Sequence, residues 1–295
     1  MGSPRYPLTV TDDRDLPRNY DGDVFVWDID KTYLSTHFSS MKGLARIPLE
    51  SAVDKRAIAG MPEVLRGLRR GPGPGFAAAP LYFVSSSPPQ LRAVIERKML
   101  IDGVQPDGFT FKDWVSTLRQ LRPGRLRDHL GYKLCALLLG RQRRPRCREW
   151  LFGDDAERDA ETYSLYAGII NRERDACAVM GELIAGRVTP EDRRLVFDMI
   201  DALPEDVGRV EHIFIHLAKG TAPEELTVYG PMIHPVRNAF QLALALRALG
   251  LIDADTVSEA RQSVMRAYRL SADDIEQQID DAASRGLLDE VRLGV

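Results

Sequence analysis

Cysteine is scarce in this chain. Cys135, Cys147 and Cys177 are the only three in 295 residues, and no two form a C-x-x-C pair. This argues against a disulfide framework or a thiolate zinc site and fits a reducing compartment. Long apolar runs are also missing. No stretch approaches the roughly 18 consecutive apolar residues of a membrane span. The opening MGSPRYPLTVTDDRD has no apolar segment of the kind a secretory leader carries, so the expected location is cytoplasmic. An excess of one charge is absent as well. With 40 basic and 43 acidic residues the net charge is -3, which gives no global attraction to nucleic acid or to a membrane. No internal repeat is visible. What remains is 44% apolar content, enough for one sizeable α/β domain and a smaller appendage.

Four short apolar runs read as buried strands: Val24–Trp27, Leu81–Val84, Trp150–Phe152 and Ile213–Ile215. Each is too short for a helix and is bounded by turn-forming or acidic residues. Helical spacing separates them. Leu91, Val94, Ile95 and Met99 recur after Pro88-Pro89, and Leu134, Leu137 and Leu138 follow Lys133. Another helix opens at Thr189-Pro190 and is expected to run to about Leu203. Strands alternating with helices predict right-handed βαβ units and a mainly parallel sheet. In such sheets ligands sit beyond the carboxyl ends of the strands. The first twenty residues are polar and proline-dotted and read as loosely ordered. Beyond about residue 220 the chain reads as three helices. The first lies within Pro235–Leu249, N-cap signals stand at Thr256 and Ser271, and a stop signal stands at Gly286.

Four polar clusters lie where these elements end. Asp28-Ile29-Asp30-Lys31-Thr32 follows the first strand. An aspartate there can attack a phosphoryl group and hold it as an acyl phosphate. A second carboxyl two residues on can protonate the leaving oxygen and later activate water. The pair also suits Mg²⁺, which prefers oxygen ligands. Taken alone, the same spacing fits a solvated acidic turn. Ser85-Ser86-Ser87 follows the second strand, where a hydroxyl and nearby N–H groups can hold a phosphate oxygen or simply cap a helix. Lys133 could balance the charge of a nucleophile and a phosphate; most lysines at helix starts are only solvated. Gly153-Asp154-Asp155-Ala156-Glu157-Arg158-Asp159 follows the third strand, where Asp154 and Asp159 could complete a metal site or favour a helix N-terminus.

In this order the clusters resemble the haloacid dehalogenase (HAD) superfamily of phosphohydrolases. The flanking strings VFVWDIDKT, YFVSSSPPQL and LFGDDAERDAETY are similar to the catalytic domain of the phosphatidate phosphatase APP1 family, with Pro88, Gln90, Leu91, Glu161 and Tyr163 extending the match. The resemblance implies a Rossmann-like HAD fold over residues 20–220, a minimal cap within 33–80, and a helical C-terminal extension over 221–295. It implies Mg²⁺ held by Asp28, the backbone carbonyl of Asp30, and Asp154, with Asp159 positioning the outer ligands. It implies Asp28 as nucleophile, Asp30 as general acid and base, and Ser85 and Lys133 as phosphate ligands. Thr32 and Ser86 are expected beside the substrate. Ser86 and Asp155 are the neighbours that would substitute if the register were shifted by one. Two residues depart from the family pattern: Lys31 stands where an acid is usual, and Asp155 where Ser is usual.

The expected substrate is a phosphomonoester, either phosphatidate or a related lipid phosphate; a soluble phosphometabolite or nucleotide is the alternative. A non-catalytic scaffold is a third reading, against which the intact acidic motifs weigh. Between Arg119 and Arg148 stand ten basic residues and one acid, Asp128, with Arg141–Arg148 the densest part. The stretch is either a solvated surface or a peripheral contact for an anionic membrane. It has little of the aromatic interleaving that stacking on nucleic-acid bases requires. His212 and His216 flank an extended run, so their spacing does not form a helical metal site.

Overall fold

A computed structural model describes residues 6–35, 56–113 and 129–288. Within these residues the strands are β1 (Leu8–Asp12), β2 (Asp23–Asp28), β3 (Leu81–Ser85), β4 (Gly108–Lys112), β5 (Arg148–Asp154), β6 (Val210–His216) and β7 (Ile233–Val236). The helices are α1 (Met61–Arg70), α2 (Arg92–Ile101), α3 (His129–Arg143), α4 (Asp159–Ile170), α5 (Ala176–Ala185), α6 (Pro190–Asp201), α7 (Ala239–Ala248), α8 (Ala254–Tyr268) and α9 (Ala272–Ser284). The strands form one seven-stranded sheet in the order β1-β4-β3-β2-β5-β6-β7. Only the β1–β4 pairing is antiparallel. No described helix is long and apolar enough to cross a membrane.

All four apolar runs read from the sequence are strands. Three further strands escape that reading. β1 forms where the first twenty residues were expected to be loose, because its backbone pairs with β4 from Leu8↔Lys112 to Asp12↔Gly108. β4 is a brief Gly-Phe-Thr-Phe-Lys segment. β7 contains Pro235, tolerated because β7 is an edge strand; it also delays the first C-terminal helix to Ala239, capped by Asn238. The cap of α8 is Asp253, whose carboxylate accepts from Thr256 N, so helix entry precedes the expected Thr256. Ser271 caps α9 as read, and Gly286 follows that helix with φ +69°.

Strand alternation divides the interior in two. Phe25, Trp27, Leu81, Phe83, Phe152 and Phe214 face a core closed by α1, α2 and α7–α9. Val24, Val26, Tyr82, Val84, Leu151, Ile213 and Ile215 face the core of α3–α6. On the first side Trp27 stacks on Phe152 at 4.1 Å and Phe152 on Phe214 at 5.3 Å, a ring stack across three strands. By the same alternation Asp28, at the end of β2, falls on the face of Val24 and Val26, toward α3. The chain leaves β2 for β3 on one side and later resumes at β5 on the other. β2 and β5 therefore flank the topological switch point, where open α/β sheets bind ligands.

α7 and α8 pack on α1, and α9 packs on α7. Arg70 donates to both carboxylate oxygens of Asp253, at 3.2 and 3.1 Å, and to Thr256 Oγ1 at 2.9 Å. A Cβ on Gly67 would run into the Thr256 side chain. Alanine raises helix propensity by about 1 kcal/mol, whereas overpacking a fitted contact costs about 1–3 kcal/mol. Gly67→Ala is therefore expected to lower stability, read as an earlier denaturation midpoint with an unchanged slope.

Candidate active site

The carboxyl ends of β2, β3 and β5 converge with the first turns of α3 and α4. Asp28 ends β2, Ser85 ends β3, Asp154 ends β5, Lys133 lies in α3 and Asp159 opens α4. These five side chains are buried, none more than 1% exposed. Lys133 Nζ lies 2.8 Å from Asp28 Oδ1 and 3.0 Å from Glu157 Oε2, and it donates to Asp159 Oδ1. The Asp28 contact has ion-pair distance without hydrogen-bond geometry. Gly153 makes room for this packing: a Cβ there would lie 2.5 Å from Asp159 Oδ2. Asp159 Oδ2 also accepts from Asp154 N at 3.2 Å.

One oxygen from each of Asp28, Asp154 and Asp159 lies within 4.8 Å of the others. Among the described residues, Asp28 Oδ2, Asp30 Oδ1 and Asp154 Oδ2 are buried without a hydrogen-bond partner. Buried carboxylate oxygens left without donors are costly, and hard oxygen donors of this kind fit a divalent cation.

Electrostatics follow from burial and crowding. Desolvation pushes Asp28 well up; Lys133 opposes this, while Asp159, Glu157 and Asp154 reinforce it. Desolvation chiefly raises Asp154 to about 7, with Asp159 and Glu157 adding to it. Burial would push Lys133 down, but Asp159, Asp28 and Glu157 outweigh it and hold the ammonium charged. Asp30 is raised to about 6 by desolvation, partly offset by a hydrogen bond from Ser87.

Ser85 Oγ donates to Asp30 Oδ2 at 3.3 Å and Ser87 Oγ to the same oxygen at 2.7 Å. Ser85 is therefore turned to Asp30. Ser87 joins it from the bend after β3, where its N–H also donates to Ser85 Oγ at 3.0 Å. Ser86, between them, points instead to Glu157, at 3.0 and 3.3 Å from its two oxygens. Thr32 is buried beside Asp30, and its hydroxyl has no partner among the described residues. Glu157 was read only as part of an acidic loop; no spacing rule separates it from Asp155. Tyr132, next to Lys133, donates its hydroxyl to the carbonyl of Ser85 and ties α3 to β3.

Both departures from the family pattern have a place. Asp155 accepts from Lys219 N at 2.7 Å and Thr221 N at 3.0 Å, so its carboxylate fastens the loop after β6. Lys31 adopts the left-handed region at φ 61°. Its N–H donates to Leu34 O at 2.7 Å and its carbonyl lies 2.8 Å from His216 Nδ1. A carbonyl only accepts, so Nδ1 carries the proton. His212 instead meets His234 at 2.7 Å and stacks on Trp150, outside the acidic cluster.

Within the described part of the basic stretch, two of the arginines are buried and three remain half-exposed on the surface. Arg119, Arg122, Arg125, Arg127 and Asp128 lie outside the described residues. Arg141 is buried and ion-paired with Glu149 at 2.7 Å, and buried Arg144 lies over the Tyr82 ring. Arg143, Arg146 and Arg148 pair with Asp12, Asp206 and Asp23. Arg148 opens β5 and Asp154 closes it, so this segment stands about 20 Å, a strand length, from the acidic cluster.

The crowded carboxylates make a sign-specific prediction for the metal-free protein. Asp154 ionises near 3.8 when unfolded and near 7 when folded. The folded chain therefore holds a proton that the unfolded chain has lost, and stability falls as pH rises from about 4 to 7. Asp154→Asn removes this penalty. In chelator its Tm is expected to exceed the wild-type value at pH 8 by roughly 10 °C, from about 4 kcal/mol of relieved penalty at roughly 2–4 °C per kcal/mol for a chain of this size. The gain should vanish near pH 4.

A family model described as the catalytic domain of phosphatidate phosphatase APP1 matches residues 24–173. No curated protein and no solved structure gives a significant match to the chain.

Proposed function

The chain belongs to the phosphatidate phosphatase APP1 catalytic-domain family, and on that premise we propose that it is a Mg²⁺-dependent phosphatase working through a phospho-aspartate on Asp28. The observation that carries this reading is the setting of Asp28. Its carboxylate is buried at the switch point of the sheet, 2.8 Å from Lys133, with Oδ2 unengaged by any donor among the described residues. A carboxylate held this way is oriented for attack rather than tied down as a structural anchor.

In the proposed reaction an Asp28 oxygen attacks phosphorus and the ester oxygen leaves. Asp30, raised to about 6, carries a proton often enough near neutral pH to give it to that oxygen. The same carboxylate then takes a proton from the water that hydrolyses the acyl phosphate. Ser85 and Ser87 fix its orientation. Lys133 supplies fixed positive charge beside the nucleophile and the incoming phosphoryl oxygens. Asp28, the carbonyl of Asp30, and Asp154 would hold Mg²⁺, with Asp159 steadying Lys133 and the Asp154 N–H. Bound there, the cation would supply Lewis-acid neutralisation of phosphoryl charge. This scheme corresponds to a HAD-type, Rossmann-like domain acting in the cytoplasm.

The proposed substrate is phosphatidate or a related lipid phosphate, following the family. Release of inorganic phosphate from phosphatidate in mixed vesicles, with Mg²⁺ and with EDTA, tests it directly. Turnover of soluble phosphomonoesters with none from the vesicles would remove the lipid assignment. Asp28→Asn is expected to lose at least about a thousandfold in kcat, and beryllofluoride should be found on Asp28 in crystals. Asp30→Asn should instead let phosphorylated protein accumulate, visible by intact-protein mass spectrometry after acid quench.

A further inference from the structure

Among the described acids paired with Lys133, Glu157 is the one that reaches the surface. Its side chain is 13% exposed, whereas those of Asp28 and Asp159 are 1% and 0%. It sits in the turn between β5 and α4, where its N–H donates to Asp154 Oδ1 at 3.0 Å. From there the carboxylate spans two donors. Ser86 Oγ lies 3.0 Å from Oε1 and 3.3 Å from Oε2, and Lys133 Nζ lies 3.0 Å from Oε2. Resting on the function proposed above, Ser86 and Lys133 are groups expected to meet the substrate phosphate.

We propose that the Glu157 carboxylate occupies the seat of the phosphoryl group, and that phosphate entry displaces it toward solvent. Two acceptor oxygens on a planar anion present to Ser86 and Lys133 what two non-bridging phosphate oxygens would present. Charge gives the displacement a direction. Asp28, Asp154, Asp159 and Glu157 carry four formal negative charges against one on Lys133, a sum of -3. A divalent cation brings this to -1, and a phosphate dianion returns it to -3. Withdrawal of Glu157 leaves -2, offsetting half the charge that the ligand brings. Asp28 and Asp159 cannot withdraw in this way, because β2 and α4 hold them in the interior. Glu157 needs only side-chain rotations at the rim.

The competing role is positional: Glu157 could instead aim Lys133 at the nucleophile. Glu157→Gln keeps shape and removes the charge, and Glu157→Ala removes both. The test is titration calorimetry of inorganic phosphate and of orthovanadate into the full chain with Mg²⁺ at pH 8, beside steady-state kinetics. Displacement predicts that both ligands bind about tenfold more tightly in the two variants, the size of one lost charge-assisted contact, and that KM falls with Kd. Unchanged or weaker phosphate binding would overturn the proposal, as would a fall in kcat with KM and Kd unmoved. Tightened phosphate binding in a protein that hydrolyses no phosphomonoester would leave the seat assignment standing and remove the enzymatic reading. Should the Ala variant fail to fold, the Gln variant decides alone.

Discussion

An ammonium group in the interior, touching three carboxylates, constrains everything packed around it. Lys133 cannot be withdrawn without stranding Asp28 and Asp159 in a medium that solvates charge poorly, and such stranding costs far more than the pair contributes when intact. The three acids arrive from different places: the end of β2, the first turn of α4, and the turn before it. The cation therefore fixes α3 against the sheet at the level where the parallel strands stop. Gly153 exists at that level because any side chain would push Asp159 away from it. Burial, with the neighbouring acids adding to it, raises Asp28 and Asp154, a standing electrostatic cost that a bound cation would relieve.

The sheet delivers these groups by alternation and by topology. Even-numbered positions of β2 face α3, so Asp28 points toward Lys133, while odd-numbered Trp27 enters the ring stack on the opposite side. The stack gives the strand beneath Asp28 little freedom to shift. The reversal of strand order at β2 then places the switch point between the ends of β2 and β5. No separate scaffold is needed to bring Asp154 to Asp28, since β2 and β5 are hydrogen-bonded neighbours.

How much of this was legible in the sequence varies with the kind of signal. Strands buried on both faces announce themselves as apolar runs, and the acids and hydroxyls singled out at their ends lie beside Lys133 of α3 in the fold. β1, β4 and β7 carried no such signal; a half-exposed edge, a five-residue strand and a proline-bearing edge are stabilised by pairing, which is invisible in composition. Side-chain direction was equally hidden. Ser85 and Ser86 differ by one position and face opposite tasks, one on Asp30 and one on Glu157. Arg141 read as a surface cation because only tertiary structure supplies Glu149 and Tyr166 to bury it. Glu157 carried no distinguishing pattern within its acidic loop.

Asp155 and His216 lace together the loops that close β2, β5 and β6. Asp155 grips the amides of Lys219 and Thr221, its own amide donates to the carbonyl of His216, and the His216 ring holds the carbonyl of Lys31. In mechanical terms this is a truss rather than three separate flaps: a load placed on one member is shared by the others. The peptide that carries Asp30 is thereby braced from two strands away, and its stiffness is a property of the whole rim, not of the five residues from Asp28 to Thr32.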